Sequence, residues 1–228
     1  MTHLEQDLQS LKNDTSEMIH MVQGQLETAH SSFQTFDKDI LFQVKHIEKR
    51  IDAFELKISM DCENALALFS PVAVDLRFIL SVLKMVTAIE RLGDYAKSIV
   101  SLIAKFKKPV NQDLVNQTQV LEMFEKCKSM LHIIEVSFET EDSSLARKIL
   151  TLDQEIDELN LKAETAIIQW IKDNPADIEN CIIILDCIKK LERFGDQMKN
   201  MTHEIIFHIE ARMLKHHKKQ IKNSKDSK

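Results

Sequence analysis

Glycine and proline are scarce in this sequence, which contains three of each among 228 residues. Proteins built from β-strands need frequent turns, and those turns depend on glycine, proline and asparagine. So few helix breakers leave room for only a handful of connections between long helices. The sequence therefore predicts an all-α protein.

Long apolar runs are also lacking, because no stretch approaches the roughly 20 residues that a bilayer-spanning helix requires. The best candidate, residues 78–89, carries Lys84 near its middle. The first residues have neither the basic flank nor the apolar segment of a signal peptide. We therefore expect a protein that stays in the cytoplasm.

The four cysteines form no Cys-x-x-Cys pair, so we expect buried thiols rather than a zinc knuckle or a disulfide framework.

Positive charge is in deficit as well. The formal net charge of −6 argues against a general nucleic-acid-binding protein. Lysines do cluster near the end of the chain, and we interpret residues 219–228 as a basic, disordered tail.

What the sequence does contain is apolar residues at helical spacing, in six segments joined by short connections. Pro71 and Pro175 each follow a residue that favours helix N-caps, so we place each proline in the first turn of a helix. Pro109 marks a linker between the third and fourth segments. The predicted helices span residues 2–31, 37–69, 71–106, 113–140, 142–172 and 175–218.

Two motifs occur twice, in the same order. Residues 88–94 resemble residues 190–196, with an offset of 102, the difference between positions 192 and 90. A Glu/Asp-x-x-Ile-Asp motif at residues 48–52 recurs at 153–157, with an offset of 105, the difference between positions 153 and 48. This order predicts a duplicated three-helix unit, with halves at residues 1–108 and 109–218.

Both motifs place acidic residues four positions apart, which puts them on one face of a helix. If the second and third helices of each half pack side by side, their carboxylates converge, with Glu55 close behind in the first half. Converging carboxylates repel one another, and a bound cation would remove that penalty. Oxygen ligands suit divalent or trivalent ions of magnesium, manganese, calcium, iron or zinc. The candidate metal ligands are Glu48, Asp52, Glu90, Asp94, Asp153, Asp157, Glu192 and Asp196.

Ion pairing within each helix is the alternative interpretation of these acids. Lys97 and Lys199 each follow a motif aspartate by three residues and could neutralise it. The duplication favours metal binding, because each copy also contains a glycine, Gly93 or Gly195. A glycine inside a helix costs about 1 kcal/mol relative to alanine, so we expect each one to allow a neighbouring helix to approach closely.

Histidines and catalytic motifs add little. Glu17-x-x-His20 matches one element of di-iron helical bundles, but those need a second copy on a facing helix and the sequence has none. We therefore interpret it as a surface coincidence. No nucleophile motif or phosphate-binding glycine loop is present, so we expect a protein that is not an enzyme. A ferritin-like carboxylate oxidase and a plain helical scaffold remain the alternatives.

The motif residues resemble a known family. Pro71-x-x-x-Asp75-Leu76-Arg77, followed by residues 90–96, resembles the signature of PhoU-type phosphate signalling proteins, and residues 191–196 occupy the place of its second signature. The resemblance covers nearly the whole chain. It implies two tandem three-helix bundles related by pseudo-twofold symmetry, with polynuclear metal sites at the eight acids named above. Asn160 and Lys190 depart from the family's pattern in the second half.

The resemblance also implies a function. Proteins of this type act as negative regulators that couple a phosphate transporter to a membrane sensor histidine kinase, at the inner face of the membrane. They restrain the phosphate-starvation response when phosphate is plentiful. Some members instead accompany other phosphate transporters, which is the alternative assignment here. We expect a homo-oligomer, most simply a homodimer, that binds protein partners and no nucleic acid.

Overall fold

The computed structural model describes residues 2–35 and 40–212, and in these residues it is helical with no β-strand. The prediction of an all-α fold is confirmed. The described elements are α1 (His3–Thr35), α2 (Leu41–Phe69), α3 (Ala73–Ile103), α4 (Gln112–Thr118), α5 (Val120–Thr140), α6 (Ser143–Arg147), α7 (Ile149–Asp173), a 3-10 turn (Pro175–Asp177) and α8 (Ile178–Glu210).

Two of the six predicted helices are interrupted, so the prediction of one continuous helix in each place was wrong. Gln119 adopts a left-handed conformation with φ 52° and separates α4 from α5. The break lets α4 pack against α7 while α5 packs against α8. Asp142 accepts hydrogen bonds from the amides of Ser144 and Leu145, which starts the short helix α6 ahead of α7.

Helix ends also differ from the predicted bounds. Ser70 has φ 48° and closes α2, so Pro71 precedes α3 instead of opening it. The bias of a residue that precedes proline against right-handed helical conformation accounts for the end of α2 before Ser70. Pro175 does open a helical turn, although of the 3-10 type. The last helix, α8, ends at Glu210, because the next residue, Ala211, is left-handed. The predicted end was residue 218. The predicted start of the second helix at residue 37 and the basic tail lie outside the described residues.

The first three helices pack against one another, and α5, α7 and α8 do the same in the second half. The halves meet where α3 packs on α8 and α1 on α5. The side chain of Ser81 on α3 donates to the carbonyl oxygen of Glu204 on α8 at 3.1 Å. Phe33 on α1 lies 5.9 Å, between ring centroids, from Phe124 on α5. Within each half the second and third helices lie side by side, because α2 packs on α3 and α7 packs on α8.

Buried residues in the described part of the chain are mostly aliphatic and form one continuous core. All four cysteines are free and buried, as expected. None of the described helices combines the length and the hydrophobicity that a membrane span requires.

Candidate metal centres

Each half contains a glycine at the point where its second and third helices cross. A Cβ atom built on Gly93 of α3 would lie 3.1 Å from Cδ1 of Ile51 on α2. A Cβ atom on Gly195 of α8 would lie 3.4 Å from Oδ1 of Asp153 and 3.4 Å from Cδ1 of Ile156 on α7. The expectation that these glycines allow close helix approach is confirmed at Gly93, whereas the space at Gly195 would also accept a Cβ atom at ordinary contact distance. The motif acids lie beside both crossing points.

The first acidic cluster consists of Glu48, Asp52 and Glu55 on α2 with Glu90 and Asp94 on α3. Burial raises the pKa of Glu90, and the negative charges of Asp94, Asp52 and Glu55 raise it further. The structure therefore brings four of these carboxylates close enough to repel one another. The fifth, Glu48, is buried and has a positive partner.

That partner is Lys97 of α3, whose ammonium group contacts the Glu48 carboxylate and lies 2.9 Å from Oδ1 of Asp94. Burial and the nearby positive charge of Lys45 lower the pKa of Lys97. In the part of the chain that the structure describes, no lysine or arginine forms an ion pair with Asp52, Glu55 or Glu90. The first acidic cluster is thus only partly neutralised by the protein itself.

The second acidic cluster consists of Asp153 and Asp157 on α7 with Glu192 and Asp196 on α8. Lys199 lies 2.5 Å from Oδ2 of Asp153 and 2.7 Å from Oδ1 of Asp196. Although burial opposes it, hydrogen bonds to these two carboxylates raise the pKa of Lys199.

Repulsion persists in the second acidic cluster despite this lysine. Burial raises the pKa of Asp153, with smaller contributions from Asp157 and Asp196 in the same direction and an opposing one from Lys199. Burial, then Asp196 and Asp157, raise the pKa of Glu192. Both clusters therefore contain a half-buried glutamate surrounded by negative charge.

Asn160 marks a difference between the clusters. It follows Asp157 by three residues on α7 and so occupies the place that Glu55 has on α2, where the charge of Glu55 reaches Glu90. Asn160 is only 9% exposed, and its Oδ1 has no hydrogen-bond partner. A buried oxygen without a donor is uncommon, and a bound cation is one way to satisfy it.

The side chains of both clusters suit a hard cation, because every candidate ligand atom is a carboxylate oxygen. Asp52, Glu55 and Glu90 in the first cluster and Asp157 and Glu192 in the second lack a lysine or arginine ion pair in the described residues. The other acids form ion pairs with lysines, namely Glu48 and Asp94 with Lys97 and Asp153 and Asp196 with Lys199. Among the described residues, neither cluster brings three ligand atoms within 4.8 Å of one another. The eight ligand assignments therefore remain predictions.

The structure also places together a group that sequence reasoning missed. His20 of α1 meets Glu135 and Glu139 of α5, with one ligand atom from each within 4.8 Å of the others. His20 is more than a hundred positions from the two glutamates, so helical periodicity gave no sign of the contact. The available signals were Glu17-x-x-His20 and the i, i+4 spacing of the two glutamates.

Comparisons with known proteins agree with the fold and with the duplication. The family model of the PhoU domain matches residues 15–103 and again residues 120–205. The phosphate-specific transport system accessory protein PhoU homolog of Deinococcus radiodurans is 27% identical over 207 residues, which cover 90% of this chain and 96% of that protein. Homolog 1 of Thermotoga maritima is 25% identical over 208 residues, covering 90% and 88%.

Solved structures show the same architecture. The crystal structure of the phosphate transport system regulatory protein PhoU from Streptococcus pneumoniae superposes with a TM-score of 0.85, covering 93% of this chain and 99% of that one. Its sequence identity of 24% supports a shared fold alone. The two family-model matches together span most of the sequence and include all eight predicted metal ligands. This chain therefore belongs to the PhoU domain family.

Proposed function

We propose that this protein is a negative regulator of phosphate uptake and of phosphate-starvation signalling. The observation that carries the proposal is the match of the PhoU domain to both halves of the chain, at residues 15–103 and 120–205. Relatives that align over nearly their whole length are named as accessory proteins of phosphate-specific transport. The protein acts by binding partners and catalyses no reaction of its own.

In this proposal the protein is a cytoplasmic adaptor between the phosphate transporter and a sensor histidine kinase at the inner membrane face. Exposed apolar side chains beside the acidic clusters support a role in protein binding. Leu56 on α2 and Leu161 on α7 each follow a motif aspartate by four residues, and each is 63% exposed. Phe42 and Met60 extend the apolar strip on α2.

Metal ions are part of the proposal. Asp52, Glu90 and Asp94 would hold a cation in the first half, and Asp157, Glu192 and Asp196 would hold one in the second. When bound, the cation supplies positive charge that offsets repulsion between half-buried carboxylates. By sharing one bound ion, the acids would hold α2 against α3 and α7 against α8. They also present a surface to which an acidic group of a partner can be bridged.

Deletion of the gene tests the regulatory role. We expect a deletion strain to express phosphate-uptake genes even when phosphate is plentiful, and the full-length chain to restore repression. Leu56→Asp and Leu161→Asp should fail to restore it, because a charge disrupts the apolar contact surface. Ser129→Asp, which adds the same charge at an exposed position of α5, is the matched control. Normal repression in the deletion strain would contradict the proposal.

Metal content tests the role of the acidic clusters separately. We expect purified Glu90→Ala/Asp94→Ala protein to contain less metal per chain than the unmodified protein, measured by elemental mass spectrometry. The control removes two exposed acids outside the clusters, Glu63→Ala/Asp173→Ala, and should keep the original stoichiometry. An unchanged metal content in the cluster variant would remove the metal site from the proposal and leave the regulatory role to the genetic test.

A further inference from the structure

A mixed nitrogen and oxygen ligand group lies between the two halves, away from the acidic clusters. His20 projects from α1, and Glu135 and Glu139 project from adjacent turns of α5. One ligand atom from each residue lies within 4.8 Å of the other two. His20 Nδ1 is 2.7 Å from Oε1 of Glu135.

Glu135 is the unusual member of this group, because its side chain is 9% exposed but has no lysine or arginine partner in the described residues. Gln23 Nε2 donates a hydrogen bond to its Oε2 at 2.7 Å. His132 Nδ1 lies 3.3 Å from the same oxygen. A buried carboxylate is stable only when its charge is compensated. Here two imidazoles and one amide surround the carboxylate, and the amide donates a hydrogen bond to it, whereas each acidic cluster contains a lysine.

The group is accessible to an ion from solvent. The side chain of His20 is 59% exposed, and Glu139 is exposed as well. An open groove of about 450 Å³ is lined by His20 and Glu139. Glu17, three residues before His20, lines the same groove and adds a further carboxylate. Water can therefore complete the coordination of an ion held by the protein ligands.

We propose that His20, Glu135 and Glu139 bind a divalent transition-metal ion of the zinc type, with His132 next to the site. One imidazole nitrogen and two carboxylates form a ligand set that zinc uses in proteins. Imidazole favours such ions over magnesium and calcium, which prefer ligand sets of oxygen alone. Chemically, the site differs from both acidic clusters, whose ligands are all carboxylates.

A bound ion here joins helix α1 of the first half to helix α5 of the second half. These two helices already pack against each other, so the ion adds a cross-link at an existing junction. Because the ligands come together only in the folded chain, metal binding stabilises the folded state by mass action. The site therefore makes the contact between the two halves depend on the metal supply.

Zinc titration of the full chain tests this proposal, followed by calorimetry and by thermal unfolding. We expect zinc to raise the melting temperature of the unmodified protein. Loss of a residue that only orients a metal ligand already costs about 10–100-fold in affinity. His20→Ala, which removes a ligand, and Glu139→Gln, which removes the charge of one, should therefore each weaken zinc binding at this site about 10-fold or more. His46→Ala, an exposed histidine on α2, is the matched control and should behave like the unmodified protein. The Glu90→Ala/Asp94→Ala variant should also retain this binding.

Cobalt(II) provides a second measurement, because its absorption spectrum reports the ligand field. The spectrum of the unmodified protein should change in the His20→Ala variant and stay the same in His46→Ala. Glu139→Gln changes an exposed side chain, so it keeps the test valid if His20→Ala impairs folding. Equal zinc affinity and equal melting shifts in the unmodified protein, His20→Ala and Glu139→Gln would overturn the proposal.

Discussion

The two acidic clusters share a motif and a helix crossing, but charged residues at equivalent positions on the second helix of each half differ, and two of these differences lie beside the carboxylates. Glu55 of α2 corresponds to Asn160 of α7, and Lys45 corresponds to Leu150, at the offset of 105 that separates positions 48 and 153. The first cluster therefore has one more carboxylate and one more ammonium group nearby. The same fold thus provides two different electrostatic environments.

The lysines respond to this difference in opposite directions. Burial and the charge of Lys45 lower the pKa of Lys97. Against burial, Asp153 and Asp196 raise the pKa of Lys199. From these directions we expect Lys199 to be the more strongly held cation and Lys97 to be the one that a bound metal ion would displace more easily. We expect the first acidic cluster to bind metal more tightly than the second.

Replacing each lysine should give the largest difference in stability between the two acidic clusters. In the metal-free protein, Lys199→Met leaves the buried carboxylate of Asp153 without its ion pair and should lower the free energy of unfolding by about 1–3 kcal/mol. Lys97→Met should lower the free energy of unfolding by a smaller amount, because it also removes the repulsion between Lys97 and Lys45. Urea unfolding with a chelator present measures both. Equal losses would contradict the proposed difference between the lysines.

A matched control for these variants is Lys189→Met. Lys189 pairs with Glu164 across α7 and α8, but both side chains are more than a third exposed. Such surface ion pairs contribute about 0–1 kcal/mol to the free energy of unfolding. Adding metal back should recover more stability in Lys199→Met than in this control, because the ion replaces the lost positive charge beside Asp153.

The sequence predicted what depends on local spacing. The six helical segments and the duplicated acids follow from periodicity, and the pairs of Lys97 and Lys199 with their own helix follow from i, i+3 spacing. Contacts between helices were not predictable in this way. Lys199 also reaches Asp153 on α7, and His20 reaches Glu135 on α5, because tertiary packing places them there. The break at Gln119 likewise contains no glycine or proline and follows from packing of α4 against α7.

Exchanging the residues that differ should convert one cluster toward the other. Asn160→Asp adds a carboxylate to the second cluster, and we expect it to tighten metal binding there by about 10-fold, since ligand charge tunes affinity. Glu55→Asn should weaken metal binding at the first cluster by a similar factor. Calorimetric titration with manganese measures both changes. If neither exchange alters affinity, these positions lie outside the metal sites.

The two glycines provide a smaller test. Gly195→Ala places a Cβ atom at ordinary contact distance, 3.4 Å, and should stabilise the protein by about 0.5–1 kcal/mol through helix propensity. Gly93→Ala brings its Cβ atom to 3.1 Å from Cδ1 of Ile51 and 3.2 Å from Oε1 of Gln25, so these side chains must shift and part of that gain is lost. Thermal unfolding measures the change in stability of each of the two alanine variants. A larger gain for Gly93→Ala would mean that α2 adapts more easily than α7.

The smallest expected effect concerns the pH dependence of stability, which tests the contribution of Glu55, the additional carboxylate of the first acidic cluster. Burial and three neighbouring acids hold the pKa of Glu90 above its ordinary value of 4.5, so the fold favours protonated Glu90. Ionised Glu90 therefore destabilises the metal-free protein above the raised pKa, and this penalty disappears as the pH falls below the ordinary value. Glu90→Gln should be more stable than the unmodified protein near neutral pH, by about 0.2–0.5 kcal/mol for each like-charge pair removed.

Glu192→Gln should show the same trend with a smaller gain, because Asn160 replaces the third acid. Urea unfolding at low salt with a chelator, from about pH 4 to pH 7, covers the window in which these glutamates ionise. Glu158→Gln at an exposed position of α7 corrects for the amide itself. A gain from Glu90→Gln that stayed constant across this range would show that charge repulsion is not its cause. Equal gains at Glu90 and Glu192 would show that Glu55 contributes nothing to the first acidic cluster.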